Sequence, residues 1–247
     1  MGALSTAALS TAALVAAWED GMSEPLVDRA PALLRSLGLV EPACDPAAMT
    51  VGACDLLLFD LRRWLFGPDL DMVATCPACG MLVELVIPAA EVVPAHPPVR
   101  LSQVTVEEGG LCLRCRLPTN GDLREIAAIG PEATAADLLV RCVEDIAGPD
   151  APPAAAALPP AMAERVADAL AASDPGADIT ADIECPCGAV WAETIDIRSI
   201  LWTELTRWVQ RRLLEVHQLA LAYGWAERDI LEMSPYRRSF YLESCAG

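Results

Sequence analysis

Lysine is absent from the 247 residues of this chain, and arginine supplies all 17 of its basic side chains. Schiff-base catalysis and a Walker-type phosphate loop both need an ammonium group, so both kinds of site are excluded. Histidine is scarce too, and any histidine-dependent mechanism must use His96 or His217. The sequence also lacks a glycine-rich phosphate loop, a serine nucleophile elbow and an acidic metal-binding loop. We therefore expect a protein that is not an enzyme.

Positive charge is scarce relative to negative charge. The 35 aspartate and glutamate residues give the chain a formal net charge of −18. This charge repels phosphate backbones and anionic lipid surfaces, so a nucleic-acid partner is disfavoured and no membrane association is expected. Proteins with basic or hydrophobic surfaces are the expected partners. Hydrophobic residues make up 54% of the chain, which is typical of a folded globular protein.

The amino-terminal run MGALSTAALSTAALVAAWEDG shows no secretory signal, because it has neither a positively charged region nor a cleavage site. Glu19 and Asp20 also close this run too early for a membrane span. We therefore expect a cytoplasmic protein. Because cytoplasmic thiols stay reduced, the ten cysteines indicate metal ligands before disulfides.

Hydrophobic periodicity predicts an α+β fold that is predominantly helical. Glycines are expected to end the early helices, with Gly21 after residues 5–20, Gly38 after Leu26–Leu37 and Gly67 after the third. Alternating runs within MLVELVIP and VEEGGLCLRCRLP predict strands. The expected organisation is a helical unit at 1–70, a first cysteine knuckle and β segment at 71–118, a helical segment at 119–147, an Ala/Pro-rich linker at 148–162, and a second knuckle with amphipathic helices at 163–247.

The carboxyl-terminal third has the strongest helical pattern. Apolar residues recur every three or four positions and so share one helix face: Leu201, Leu205, Val209, Leu213, Val216, Ala220 and Tyr223. Two short helices follow, and Ser234 and Pro235 are expected to begin the second. Several large residues there are expected to pack these helices or to dock on a partner: Trp225, Ile230, Leu231, Tyr236, Phe240 and Tyr241. The predicted partner-binding residues are Trp225, Ile230, Arg237, Arg238 and Tyr241.

The most informative motif is Cys76-Pro-Ala-Cys79-Gly80. Two thiolates separated by two residues can bind one tetrahedral zinc ion, and the glycine permits the tight turn that directs backbone N–H groups at sulfur. A structural site needs four ligands, so a second pair of cysteines is required. The motif therefore predicts half of a structural zinc site.

Two pairs can complete this site. Cys112 and Cys115 have the same spacing but lie in an alternating run, where residues three apart point to opposite faces of a strand. Cys185-Pro-Cys187-Gly188 repeats the chemistry of the first knuckle with one residue fewer, and both knuckles precede apolar, alternating segments. We predict that the metal ligands are Cys76, Cys79, Cys185 and Cys187, in a small zinc-ribbon-like β element. The set that uses Cys112 and Cys115, and a chain without metal, stay open.

The segment LWTELTRWVQRRLLEVHQLALAYGWAERDILEMSPYRRSFYLE resembles the carboxyl-terminal part of the baseplate hub assembly chaperones of the T-even phage type, a family found in gene clusters of contractile injection systems. The motifs EVHQLALAYGW, ERDIL and RRSFYL carry the resemblance, together with the two Cys-Pro…Cys-Gly knuckles, RLPTNGDL and LFGPDL. The chain departs from the family in its shorter second knuckle and in Ala226, where a serine or threonine helix cap is expected.

The resemblance implies a non-enzymatic, cytoplasmic helper that assembles a baseplate hub through protein–protein contacts, with baseplate or hub subunits as its partners. An acidic surface without a reactive cluster agrees with that role. Two alternatives stay open. One is a zinc-ribbon regulator that binds nucleic acid through the carboxyl-terminal helices. The other is an enzyme that uses His217 beside a carboxylate and a cysteine.

Overall fold

A computed structural model describes residues 9–93, 103–149, 151–155 and 158–245. The chain divides into two compact units, one formed by Met1–Ala43 with Ser199–Gly247 and the other by Cys44–Arg198. His96 lies outside the described residues. The boundaries of the five segments proposed from composition stay a prediction. Across the described residues, no helix has both the length and the hydropathy needed to cross a membrane.

The structure is a mixed one, in which helices predominate and small antiparallel sheets alternate with them, as the α+β prediction requires. A short 3-10 turn at Pro46–Ala48 precedes the third helix. In chain order the elements are α1 (Thr11–Met22), α2 (Leu26–Ser36), α3 (Val51–Phe66), β1 (Asp69–Thr75), β2 (Leu82–Pro88), α4 (Ala89–Val92), β3 (Gln103–Glu108), β4 (Leu111–Arg116), α5 (Asn120–Ile129), α6 (Ala135–Cys142), β5 (Val143–Ala147), α7 (Pro160–Ser173), β6 (Thr180–Glu184), β7 (Val190–Thr194), α8 (Ile197–Tyr223), α9 (Glu227–Leu231) and α10 (Pro235–Cys245).

The first unit packs α1 and α2 with most of α8, and the predicted apolar face of α8 forms part of its core. Leu201, Leu205 and Val209 on that face are buried. The prediction that Gly21 ends the first helix is wrong, because α1 continues to Met22. A Cβ atom at Gly21 would lie 2.6 Å from Cη2 of Trp202, so the absence of a side chain at Gly21 leaves room for the Trp202 ring to pack against α1.

The two carboxyl-terminal helices are fixed by a buried ion pair and a small apolar cluster. Nε of Arg238 donates to Oε2 of Glu215 at 2.8 Å, and Arg238 is only 2% exposed. Ile230 is buried in a cluster with Val216 and Leu219. The helix α10 begins after Ser234, as the sequence predicts, and the Ser234 hydroxyl accepts from the backbone N–H of Arg237.

In its described residues, the second unit contains three antiparallel sheets with the orders β1–β2, β3–β4–β5 and β6–β7. The predicted turn at Gly109 and Gly110 joins β3 to β4. The helical segment predicted at 119–147 needs a correction, because its last residues form β5 and pair with β4. Leu113 lies opposite Ile146 in this pairing, so a long-range strand contact overrides the helical preference of the segment.

A buried carboxylate joins β4 to the two helices that follow it. Asp122 is 3% exposed, and its Oδ1 accepts from Nη2 of Arg116 at 2.7 Å and from Nε of Arg141 at 3.3 Å. Asp122 and Thr119 also form a reciprocal capping box at the start of α5. Burial raises the pKa of Asp122, but the hydrogen bonds from Arg116 and Thr119 outweigh burial and hold this pKa well below its usual range.

We predict that Asp122→Asn lowers the free energy of unfolding at pH 7 by about 3 kcal/mol, because it leaves two arginines without their buried carboxylate. A folded-state pKa below the unfolded value stabilises the fold above that unfolded value and loses the stabilisation as the pH falls. The difference between wild type and Asp122→Asn should therefore shrink as urea unfolding is measured below about pH 4.

Asp137→Asn is the matched control, since Asp137 forms the same capping box with Thr134 at α6 but has no ion pair within the described part of the chain. Equal losses of stability in the two variants would show that the cap alone matters and that the arginines contribute nothing.

Candidate metal centre

The first cysteine knuckle is the turn of the β1–β2 hairpin. The backbone N–H of Cys76 donates to the carbonyl of Met81, and the N–H of Gly80 donates to the carbonyl of Cys76, both at 2.9 Å. Gly80 has a φ of 74°, in the left-handed region that glycine adopts without a steric penalty. The turn therefore curls back on itself and presents the thiols of Cys76 and Cys79 together.

The second knuckle is the turn of the β6–β7 hairpin and has the same construction. The N–H of Cys185 donates to the carbonyl of Ala189 at 2.9 Å, and the N–H of Gly188 donates to the carbonyl of Cys185 at 2.8 Å. Gly188 has a φ of 87°. This turn is one residue shorter than the first. It keeps the hydrogen bond donated by the N–H of its first cysteine, and it keeps the left-handed glycine. The shorter motif therefore still directs two cysteines to one side.

The two knuckles bring their four sulfur atoms into one group. All four Sγ atoms lie within 4.8 Å of one another. Sγ of Cys76 is 3.7 Å from Sγ of Cys187, and Sγ of Cys79 is 3.7 Å from Sγ of Cys185. A metal with sulfur ligands at 2.3 Å in a tetrahedron places its sulfurs about 3.8 Å apart. The cluster therefore has the dimensions of a tetrahedral tetrathiolate site.

Backbone donors favour thiolates at this cluster, and crowding opposes them. Burial raises the pKa of Cys76, but the backbone N–H groups of Cys79 and Ala78 outweigh burial and lower this pKa to about 7. The N–H of Cys187 lowers the pKa of Cys185, but burial and hydrogen bonds with neighbouring thiols raise this pKa to about 12. Four thiols this close cannot all ionise together unless a cation neutralises them.

The donor set fits a metal ion and indicates its role. Thiolates alone bind soft or borderline ions, and four of them complete a tetrahedron around Zn²⁺ or an iron ion. Cys76 and Cys185 are buried, whereas Cys79 and Cys187 are exposed, so an ion would enter from the surface. A site whose four positions are all cysteines has no open position for a substrate. The arrangement can therefore hold two hairpins together, and it lacks the open ligand position of a catalytic metal.

The competing ligand pair does not join this cluster. Cys112 and Cys115 both lie in β4, where Cys115 is buried in a core cluster with Leu113 and Cys142 while Cys112 is half-buried. Burial raises the pKa of Cys115, which disfavours its ionised, metal-binding form. The strand geometry that separates positions three apart thus keeps this pair out of the metal centre.

The predicted partner-binding residues have different environments. Ile230 and Arg238 are buried, so the expectation that they contact a partner needs correction: they anchor the helices instead. Trp225 and Tyr241 are half-buried and pack edge-to-face, with ring centroids 4.9 Å apart. Arg237 is exposed.

Two residues of α10 that were expected to pack or to dock, but were left out of the predicted partner-binding residues, are more exposed than Trp225 and Tyr241. Tyr236 is 83% exposed and Phe240 is 59% exposed. They are four residues apart and so lie on the same face of the helix. The sequence shows that Tyr236 and Phe240 share a helix face, but which face is exposed depends on the pairing of Arg238 with Glu215, which the sequence does not reveal.

Three comparisons, with protein-family models, with curated proteins and with solved structures, find nothing that matches this chain. The resemblance to baseplate hub assembly chaperones therefore rests on the quoted motifs. His217 is exposed on α8, and the group of metal-ligating side chains found in the described residues contains cysteines alone.

We predict that the purified protein binds one metal ion per chain and that Cys79→Ser or Cys187→Ser removes it. Both residues are exposed, so serine should be tolerated in each turn while the ligand is lost. Elemental analysis of the purified variants measures the metal directly.

Cys112→Ser is the control, because Cys112 belongs to the competing pair and is only half-buried. It should retain the full metal content. Metal that is lost in Cys112→Ser and kept in Cys187→Ser would assign the site to the other ligand set.

Proposed function

We propose that this protein is a non-enzymatic assembly chaperone or accessory protein for the baseplate hub of a contractile injection system, acting through protein–protein contacts. The observation that carries the proposal is an exposed aromatic surface on α10, the helix that holds the RRSFYL motif. This surface, which consists of Tyr236, Arg237 and Phe240, is called the α10 face below. The motifs of the carboxyl-terminal segment supply the identity of the proposed partner.

The composition of the α10 face supports protein binding. Tyrosine and arginine are enriched among residues that dominate binding energy at interfaces, and phenylalanine is enriched at interfaces relative to the rest of the surface. The buried pair of Arg238 and Glu215 holds α10 from beneath, so the face is presented by a fixed helix. A partner that buries two aromatic rings here would gain several kcal/mol.

The distribution of charge supports a protein partner over a nucleic acid. Residues 44–198 contain 24 acidic and nine basic residues, whereas residues 199–247 contain six of each. The carboxyl-terminal helices thus have a net charge of about zero, which favours an apolar contact. The remainder of the chain is acidic and repels phosphates.

The proposed metal is a structural zinc ion in a zinc-ribbon-like element formed by the β1–β2 and β6–β7 hairpins. Cys76 and Cys187 are 111 positions apart in the chain. An ion that joins them closes a long loop and binds only the folded state, so its binding free energy contributes to folding. Zinc has no redox chemistry and prefers four tetrahedral ligands, in keeping with a non-enzymatic role.

We predict that the wild-type protein, co-expressed with the hub subunit of its own gene cluster, co-purifies with that subunit. Tyr236→Ala/Phe240→Ala should reduce the recovered hub subunit at least about tenfold, because each truncated aromatic hot spot costs about 1–2 kcal/mol or more. Affinity purification followed by quantification of both bands provides the measurement.

The control is Leu214→Ala/Leu221→Ala, which removes two large apolar side chains that are 60% and 75% exposed on α8. It should leave the recovery unchanged. Absence of any hub subunit with the wild-type protein would refute the proposal, and a shift of DNA at low salt would favour the regulator instead.

A further inference from the structure

The β1–β2 hairpin has one packed side and one open side. Directly opposed residues of an antiparallel pair project from the same side of the sheet, so Leu70 and Ile87 share one side while Asp71 and Val86 share the other. Leu70 and Ala74 are buried on the packed side. The open side consists of Asp69, Asp71, Val73, Thr75, Leu82, Glu84, Val86 and Pro88, and is called the outer hairpin face below.

Large aliphatic side chains form a continuous group on the outer hairpin face. Val73, Leu82 and Val86 are 61%, 66% and 62% exposed. Glu84 lies opposite Val73, and Leu82 and Val86 are the residues two positions on either side of Glu84. Such diagonal neighbours lie about 7–8 Å apart, so a single partner segment can contact all three aliphatic side chains.

Unpaired carboxylates surround these aliphatic residues. Asp71 and Glu84 are exposed, and neither forms an ion pair within the part of the chain that the structure describes. The outer hairpin face contains no basic residue at all. Its potential is therefore negative around an apolar centre, which is complementary to a segment that carries both aliphatic and basic side chains.

The second hairpin repeats this composition. The open side of β6–β7 carries Val190, which is 65% exposed, with the exposed carboxylates of Asp182 and Glu184 and again no basic residue. Leu82 and Val190 occupy corresponding positions, because each follows the residue whose carbonyl accepts from the first cysteine of its knuckle. The pattern thus accompanies the metal knuckle itself.

We propose that the outer hairpin face binds a basic, aliphatic segment of a client protein in an extended conformation. This inference rests on the proposed chaperone function and names the chemistry of one class of client segment. A strand directs every second side chain to the same face, so a segment in which basic and aliphatic residues alternate at every second position places both kinds of side chain against the outer hairpin face. Among the described residues β1 and β2 pair only with each other, so each keeps one edge free for hydrogen bonds with such a strand.

A second copy of this chain does not fit the face. Two outer hairpin faces would oppose Asp71 and Glu84 of one copy to the same carboxylates of the other, with no basic side chain between them. Nucleic acid is repelled for the same reason.

The test uses the full-length protein loaded with metal and a fluorescent peptide that repeats lysine, serine, valine and serine, which as a strand places lysine and valine on one face. Fluorescence anisotropy should show saturable binding of this lysine–valine peptide, whereas peptides with glutamate in place of each lysine, or serine in place of each valine, should bind at least about tenfold more weakly. Val73→Ser/Leu82→Ser/Val86→Ser should weaken binding of the lysine–valine peptide about tenfold or more, because three aliphatic side chains lose their burial.

Asp71→Asn/Glu84→Gln should weaken binding several-fold at low salt and leave it unchanged at about 1 M salt, where charges are screened within about 3 Å. Glu132→Gln/Glu164→Gln removes the same charge from two exposed glutamates elsewhere, neither of which forms an ion pair with another described residue, and this variant should bind as wild type does. Equal weakening by both charge variants would mean that net charge alone attracts the peptide, and the proposal would be wrong.

The outcomes separate this proposal from the proposed function. If the hub subunit co-purifies but wild type and the aliphatic variant bind the peptide equally, or not at all, the client surface is wrong and the chaperone role stands. If the peptide binds at this face and no hub subunit co-purifies, the surface stands and its client belongs to another system. A wild-type dimer in sedimentation that the aliphatic variant dissociates would assign the face to a second copy and overturn the proposal.

Discussion

The repulsion among four crowded sulfur atoms is the constraint on which the second unit depends. Two hairpins that are distant in sequence bring Cys76, Cys79, Cys185 and Cys187 within 4.8 Å of one another. Two-stranded hairpins are marginally stable alone, so something must offset the cost of holding these thiols together. A divalent cation bound here would do so by stabilising the thiolates and the loop closure at once. Without such an ion, at least some of the thiols must stay protonated and the cluster contributes little to folding.

Sequence reasoning identified the four cysteines of the candidate metal centre because that information is local. Cys-Pro-x-Cys-Gly encodes a turn with a left-handed glycine, and the apolar alternation after each knuckle encodes the returning strand. The choice between Cys185 with Cys187 and Cys112 with Cys115 followed from the period of a strand, which is also local. The strand β5 was missed for the opposite reason. Its residues favour a helix by themselves, and only the free edge of β4 makes them extended.

The carboxyl-terminal helices show where pattern reasoning reaches its limit. A stripe of apolar residues correctly predicted the burial of Leu201, Leu205 and Val209 on α8, because burial follows helical periodicity. The prediction is wrong for Tyr223 at the end of the stripe, which is exposed. Periodicity could not show which of Arg237 and Arg238 is buried, because both are arginines in a short helix. Only the position of Glu215 decides that Arg238 is buried in an ion pair and Arg237 stays at the surface. A buried arginine requires a partner carboxylate, and that partner lies 23 positions away.

Exposed apolar side chains and the carboxylates near them have opposite effects on self-association of this chain. An exposed aliphatic or aromatic group favours association with any apolar surface, including another copy of the same protein. Carboxylates beside Val73, Leu82 and Val86 make self-association unfavourable while leaving basic partners unaffected. The α10 face lacks this protection, since its exposed charge is Arg237, and the specificity of its contacts must come from the shape of the two aromatic rings. A protein that binds other proteins transiently needs both properties, because its apolar surfaces must stay available between partners without joining to each other.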